Sequence, residues 1–232
     1  MGINELGRKE KYIGVKFLIE DYKNIQKNIM RDSNILRTFW VESQDKDVTK
    51  RTYYDTDDMF FYRLGITISL NTYEGRKYAD LIVRYEGSTS RIMFISDIPD
   101  TFIRRIGKKE SIAKNYEYIA SVVLELMPTG ISVEPLEMVR RIKPKLYIVK
   151  KRERFRIINS NGLKIIMSFE KCVYENTKHA KVKLNILELR LDSPNDTAKN
   201  FEKFIHDLQM AEYRLIKTKE GDLFIGQEYL DI

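Results

Sequence analysis

The chain has 232 residues, 43% of them apolar, enough to enclose one sizeable core. Charged residues make up 32%, and 41 basic against 34 acidic side chains leave a formal net charge of +7. No run of about 18 apolar residues exists, so no transmembrane helix is expected, and a single cysteine, Cys172, excludes an internal disulfide or a cysteine-rich metal site.

Residues Lys11–Ile19 alternate as a first strand, and Asp21 then caps a short helix with Tyr22, Ile25 and Ile29 on one face. Stretches 35–43 and 48–55 read as two strands carrying the large bodies of Trp40, Tyr53 and Tyr54. Glu74-Gly75 marks a turn between strands at Ile66–Tyr73 and Lys77–Tyr85. Gly87–Ser90 is a loop, followed by a short strand at Arg91–Ile95. A short helix is expected over Pro99–Ile106, ended by Gly107. A long one is expected over Lys109–Met127, with Ile112, Tyr116, Ile119, Ala120, Val123 and Met127 on one face and Pro128 and Gly130 as the stop. Strands return at Lys145–Ile158 and Leu163–Val173, joined by Asn159-Ser-Asn-Gly162, where Asn-Gly takes positive φ without strain. Lys181–Leu191 is a further strand. Ser193-Pro194 then opens a helix with Phe201, Phe204, Ile205 and Leu208 as its apolar stripe. A last hairpin is expected, Tyr213–Thr218 with Leu223–Gln227, turning at Glu220-Gly221. With no repeat, low-complexity tract or linker, residues 1–232 read as one domain.

The N-terminal residues lack the apolar core of a signal peptide, and Leu6 stands where a myristoylation motif has Ser or Thr. A cytoplasmic protein without membrane contact is therefore expected.

The charge is unevenly placed. Nine Lys or Arg residues lie between Arg140 and Arg156 against one acid, Glu153. On a strand, Lys150, Arg152, Arg154 and Arg156 share one face, and Lys151, Glu153 and Phe155 the other. Like charges so close together either stay in water or face a polyanion. The polyanion could be phosphate in a cavity or a nucleic acid on the surface, and both remain open at this point.

Other chemistry is excluded by spacing. Asp55, Asp57 and Asp58 lack the glycine and the later glutamate of a calcium loop. His179 and His206 are too few and too scattered for zinc. Neither a P-loop, a dinucleotide fingerprint nor a Gly-x-Ser-x-Gly elbow occurs. The 14 tyrosines and 11 phenylalanines could stack bases, but alternating aromatics on strands are more often core.

The stretch Arg51-Thr-Tyr-Tyr-Asp-Thr-Asp-Asp58, followed by a short apolar turn ending on Leu64-Gly65 and a strand from Ile66, resembles the CYTH family of triphosphate tunnel enzymes. The order of elements resembles that family along nearly the whole chain. The resemblance implies an α+β fold, a closed or nearly closed antiparallel β-barrel with helices outside, whose lumen binds triphosphate. It also implies Lys and Arg on several strands for phosphate, and glutamates on at least two for Mg²⁺ or Mn²⁺.

Matched residue by residue, the family's Glu-x-Glu-x-Lys falls on Tyr12, Gly14 and Lys16, leaving only the lysine. Leu-Arg-x-Arg becomes Ile66-Thr67-Ile68-Ser69, and Asn71 extends the same polar face. Thr-x-Lys falls on Ile82-Val83-Arg84, and the basic strand matches best at Arg152, with Lys150 and Arg154 on the same face. Ser168 or Glu170 stands at the usual aspartate, Glu188 keeps one acid of Glu-x-Glu beside Ile186, and Thr218-Lys219 stands for Ser-Lys. The implied phosphate-binding set is thus Lys16, Arg84, Lys150, Arg152, Arg154 and Lys219, with Glu188 as the catalytic and metal-binding acid.

Three readings follow. One is a metal-dependent phosphohydrolase acting on a nucleoside triphosphate, inorganic triphosphate or thiamine triphosphate, with Glu188 essential. The second is a catalytically inactive module that binds polyphosphate or a phospholigand, favoured by the missing first-strand glutamates. The third is a nucleic-acid-binding protein using residues 140–156, with affinity falling steeply in salt. Against all of them, a single cation on a strand is ordinarily solvated surface.

Overall fold

The computed structural model describes residues 8–10, 14–31, 38–85, 91–99, 112–127, 131, 133–192, 198–211, 214–218, 221–230 and 232. Ten strands form one antiparallel sheet: β1 (Arg8–Glu10), β2 (Gly14–Leu18), β3 (Phe39–Asp55), β4 (Ile66–Tyr73), β5 (Tyr78–Tyr85), β6 (Arg91–Pro99), β7 (Lys143–Asn159), β8 (Lys164–Asn176), β9 (Lys181–Leu191) and β10 (Ile216–Thr218). Their order across the sheet is β1-β6-β5-β4-β3-β7-β8-β9-β2-β10. The expected antiparallel sheet with helices is present. Among the described residues no ladder joins β1 to β10, so the expectation of a closed barrel is met only as far as an open ten-stranded sheet.

Among the described residues six helices accompany it: α1 (Tyr22–Arg31), α2 (Phe60–Arg63), α3 (Tyr116–Leu126), α4 (Pro135–Arg140), α5 (Ala198–Met210) and α6 (Asp222–Leu230). Asp21 caps α1 as expected, its Oδ1 accepting the Asn24 N–H at 3.2 Å, and Ile25 and Ile29 are its buried stripe. They join Phe201, Phe204 and Leu208 of α5 over alternate residues of β7, β8, β9 and β2, including Phe155, Met167, Leu189 and Phe17. Ile119, Val123 and Val139 of α3 and α4 cover Ile66, Ile68, Leu70, Leu81 and Val83 of β4 and β5. These helices form the outer layer on one face of the sheet, which we call the convex face.

On the opposite, concave face lies α6. Leu223, Ile225 and Leu230 of α6 pack on Tyr53, Leu146, Ile148, Cys172, Tyr174 and Ile186. Each large side chain fully buried in such a layer contributes roughly 1.5–3 kcal/mol. A Cβ added to Gly226 would lie 2.4 Å from Leu146 Cδ2, so glycine lets α6 seat closely on β7.

Three local expectations are corrected. The second arm of the expected terminal hairpin, Leu223–Gln227, lies in helix α6. A short apolar run such as Leu223-Phe-Ile fits either element, and the helical spacing of Leu223, Gly226 and Leu230 decides it. Stretches 35–43 and 48–55 are not two strands, because β3 runs unbroken over 17 residues, Phe39–Asp55. In place of one helix over Lys109–Met127, a turn at Lys114 and Asn115 precedes α3, residues 109–111 lie outside the described residues, and α4 was not foreseen. Trp40, the large apolar body expected on stretch 35–43, lies on β3 and is 53% exposed. The expected helix at Pro99–Ile106 lies outside the described residues apart from Pro99, which ends β6.

The Tyr53–Asp58 segment acts as scaffold. Asp55 is buried, and its carboxylate accepts the N–H groups of Thr56, Phe61 and Tyr62 at 2.7, 3.0 and 2.8 Å, fixing the turn into α2. Tyr53 and Tyr54 are both buried but on opposite faces, Tyr53 against α6 and Tyr54 against the α3 layer.

Candidate anion site on the concave face

Register decides which side chains share the concave face. Asp45 and Asp47 of β3 lie directly opposite Arg154 and Arg152 of β7, and Thr49 and Arg51 opposite Lys150 and Ile148. A bulge between Val41 and Ser43 sets this parity, because it puts Phe39 on the convex side, against Phe204, while Asp45 and Asp47 point the other way. On β8 and β9, Glu170 lies opposite Arg152, Ser168 opposite Arg154, and Glu188 opposite Ser168. Lys16 of β2 pairs with Glu188 on one side and with Thr218 of β10 on the other.

At one end of this face the cations are matched by neighbours. Arg152 grips Asp47 with two hydrogen bonds of 2.8 Å and donates to Thr49 Oγ1 at 2.9 Å. Arg154 grips Asp45 at 2.8 and 3.0 Å and also reaches Asp47 at 3.0 Å. Arg156 pairs with Asp192 at 3.0 Å. A groove of about 520 Å³ opens beside these pairs at the edge between the two faces, lined by Asp47 and Arg152 and, from the helix-covered face, by Lys46, Lys151, Glu153 and Lys171.

Deeper in the face lies a second cluster with a different origin. Asp222, the first residue of α6, is buried, with Oδ1 3.1 Å from Lys16 Nζ and 2.7 Å from Lys150 Nζ, and Oδ2 2.8 Å from Arg51 Nη1. Lys150 also holds Glu170 at 2.9 Å, and Lys16 lies 4.0 Å from Glu188. Arg51 further donates to Asn71 Oδ1 at 2.7 Å and to the Tyr53 hydroxyl at 3.1 Å. Three cations from three strands thus meet three carboxylates, and one of those carboxylates comes from outside the sheet. Two buried atoms of this wall, Asn71 Nδ2 and Glu170 Oε1, have no hydrogen-bond partner.

The electrostatics follow from the geometry. Burial opposes the charge on Lys16, but Asp222, Glu188 and Glu170 more than offset it and hold its ammonium well above the usual lysine range. Burial likewise opposes Lys150, which Asp222 and Glu170 raise against the repulsion of Lys16. For Asp222, burial favours the neutral acid, yet Lys150, Lys16 and Arg51 keep the carboxyl well below the usual range. All three groups are charged at neutral pH. Burial pushes the Cys172 thiol up, so it is no nucleophile.

Of the residues implied by the sequence, Lys16, Lys150, Arg152, Arg154 and Glu188 lie on the concave face, but in two groups. Lys16, Lys150 and Glu188 join the inner cluster, and Arg152 and Arg154 form the outer pairs. Arg84 lies across from Thr67 on β5 and β4, on the same side of the sheet as Ser69 and Asn71. Lys219 and Tyr12 lie outside the described residues. Arg51 and Asp222 were missed as site residues. Arg51 could have been found by period two, since it shares a strand face with Tyr53. Asp222 was hidden by the hairpin reading.

A divalent ion of the Mg²⁺ or Mn²⁺ type needs oxygen ligands that are free to turn toward it. Here Glu170, Glu188 and Asp222 each face a lysine or arginine, and Gly14 stands at the second glutamate position of the first strand. No group of three acidic, His or Cys side chains suited to a metal occurs among the described residues. The inner cluster as arranged does not fit a metal site. No helix among the described residues is long and apolar enough to cross a membrane.

No family model matches the chain, and no curated protein matches it in sequence. Solved structures do. A candidate adenylate cyclase of Bacillus halodurans superposes with a TM-score of 0.55 at 11% identity, over 96% of this chain and 98% of that one. A candidate adenylyl cyclase of Hippeastrum, HpAC1, described as having a dominant triphosphatase activity, superposes with a TM-score of 0.57 at 11% identity, over 94% and 95% of the two chains. The chain therefore shares the fold of these two proteins over nearly its whole length.

Proposed function

We propose that the concave face binds the phosphate groups of a triphosphate or polyphosphate, and does so without a resident metal ion. The observation that carries this reading is the convergence of Lys16, Arg51 and Lys150 on one anionic group in the middle of a curved sheet. Two buried lysines and a half-buried arginine at one point are very expensive without an anion, and their charge-assisted hydrogen bonds suit phosphate oxygens. The described triphosphatase activity of HpAC1, whose fold this chain shares, favours triphosphate over other polyanions. Binding is preferred to hydrolysis because the carboxylates that would hold Mg²⁺ or Mn²⁺ are engaged by ammonium and guanidinium groups. The basic strand does not favour nucleic acid, since Arg152, Arg154 and Arg156 are each engaged by a carboxylate.

Calorimetry with inorganic tripolyphosphate in EDTA tests the reading. One site per chain is expected, and Lys150→Ala should weaken it by at least about tenfold, the loss of one charged hydrogen-bond donor. Absence of any heat with the wild-type chain and with Asp222→Asn, which frees the same donors, would sink the proposal. Turnover that requires a divalent ion and disappears in Glu188→Ala would move the protein to the enzyme reading instead.

A further inference from the structure

We infer that Asp222 is a built-in competitor for the anion site, and that at least the first turn of α6 must leave the concave face before a phosphate can take its place. This rests on the reading of the face as an anion site and adds how that site is controlled.

The argument starts from the contacts. The two carboxylate oxygens of Asp222 take hydrogen bonds from Lys16, Lys150 and Arg51, the same donors that would hold a phosphate. A phosphate cannot share them with the carboxylate, because a second anion at this spacing would meet Asp222, Glu170 and Glu188 together. Binding is thus an exchange of anions. The carboxylate also differs in kind from the other acids of the face. Asp45, Asp47, Glu170 and Glu188 are fixed by strand registers, whereas Asp222 arrives on a helix that enters the cup from the C-terminal side.

That helix has a definable hold. Leu223, Ile225 and Leu230 bury their side chains on the floor, Gly226 fits against Leu146, and Asn176 Nδ2 donates to the Leu230 carbonyl at 3.0 Å. Its first turn begins at Gly221, whose φ of 144° is a conformation that side-chain-bearing residues rarely adopt, and whose carbonyl accepts the Ile225 N–H at 3.1 Å. The buried but unpartnered donor Asn71 Nδ2 sits in the same wall, so Asp222 leaves part of the wall's donor capacity unused. When only a fraction of molecules has the helix out, the apparent affinity for an anion falls by that fraction.

The test compares tripolyphosphate binding, in EDTA at fixed ionic strength, by the full chain and by two variants. Asp222→Asn removes the competing charge and should bind about tenfold or more tightly than wild type. Leu223→Ala leaves every charge in place but loosens the helix, and should also bind more tightly. Equal or weaker binding by both variants, with clear binding by wild type, overturns the inference and leaves the anion site standing. No binding by any of the three overturns both. Because three cations could leave Asp222→Asn unable to fold alone, hydrogen exchange of the wild-type chain gives an independent readout. Saturating tripolyphosphate should speed exchange of the α6 amides, and unchanged or slower exchange there would count against the competitor.

Discussion

The two charged regions of the concave face solve the same problem in opposite ways. At the outer end, Arg152 and Arg154 are matched by Asp47 and Asp45 on the adjacent strand, in direct register and partly open to water. In the inner cluster, Lys16, Arg51 and Lys150 come from three strands and are completed by a residue over 70 positions from the nearest of them. The first arrangement is made by pairing alone and persists wherever the sheet persists. The second needs a helix to dock, so its charge balance depends on tertiary position. An anion can compete for the second without disturbing the first.

The sharpest way to break this contrast is to remove the central carboxylate. Asp222→Asn leaves Lys16, Arg51 and Lys150 facing two carboxylates instead of three, and should lower stability by about 3–5 kcal/mol in denaturant titration. The loss should be pH-dependent. The folded-state pKa of Asp222 is depressed, so the unfolded chain binds the proton more readily, and the stabilisation is present above the unfolded pKa. It fades as pH falls toward the depressed folded value, and the gap between wild type and Asp222→Asn should narrow below roughly pH 5. A gap that stays constant to low pH would show that packing, not charge, accounts for the loss.

Seating of the helix comes next in size. Gly226→Ala forces a methyl group to within 2.4 Å of Leu146 Cδ2, and although that side chain can turn, it is fully buried. A destabilisation of about 1–3 kcal/mol is expected by thermal or chemical unfolding. The smallest effect belongs to the outer pairs. Arg154 and Asp45 have side chains 31% and 60% exposed, so Arg154→Ala should change stability by less than about 1 kcal/mol. An Arg154→Ala loss as large as that of Asp222→Asn would erase the distinction between the two regions.

The sequence was most readable where one face of an element is apolar. Lys181–Leu191 is found as expected, and the alternation of Ile66–Tyr73 and the stripe Phe201, Phe204, Leu208 fall where the structure has β4 and α5. It was least readable where both faces are polar or both are buried. Ser43–Asp47 hid the continuity of β3, because its concave residues are ion-paired aspartates instead of apolar side chains. Helix α6 spreads Leu223, Phe224, Ile225, Tyr229 and Leu230 around its axis, although Tyr229 is exposed, and so lacks the one-sided stripe that marks α1. The family resemblance located the strands that bear Lys16, Lys150, Arg152 and Glu188. It could not give their partners, which depend on register and on the fold of residues 222–230.

Strand β10 gives the inner cluster a leash. Its Thr218 lies beside Lys16 in the ladder, only four positions before the carboxylate that neutralises that same lysine. A helix that lets go of the floor therefore stays tied next to the site it has vacated. Its return is intramolecular, with an effective concentration set by the tether and not by the amount of protein in solution. Dilution cannot relieve such a restraint, so under the proposed exchange of anions the concentration of phosphate alone would decide which anion the three cations hold.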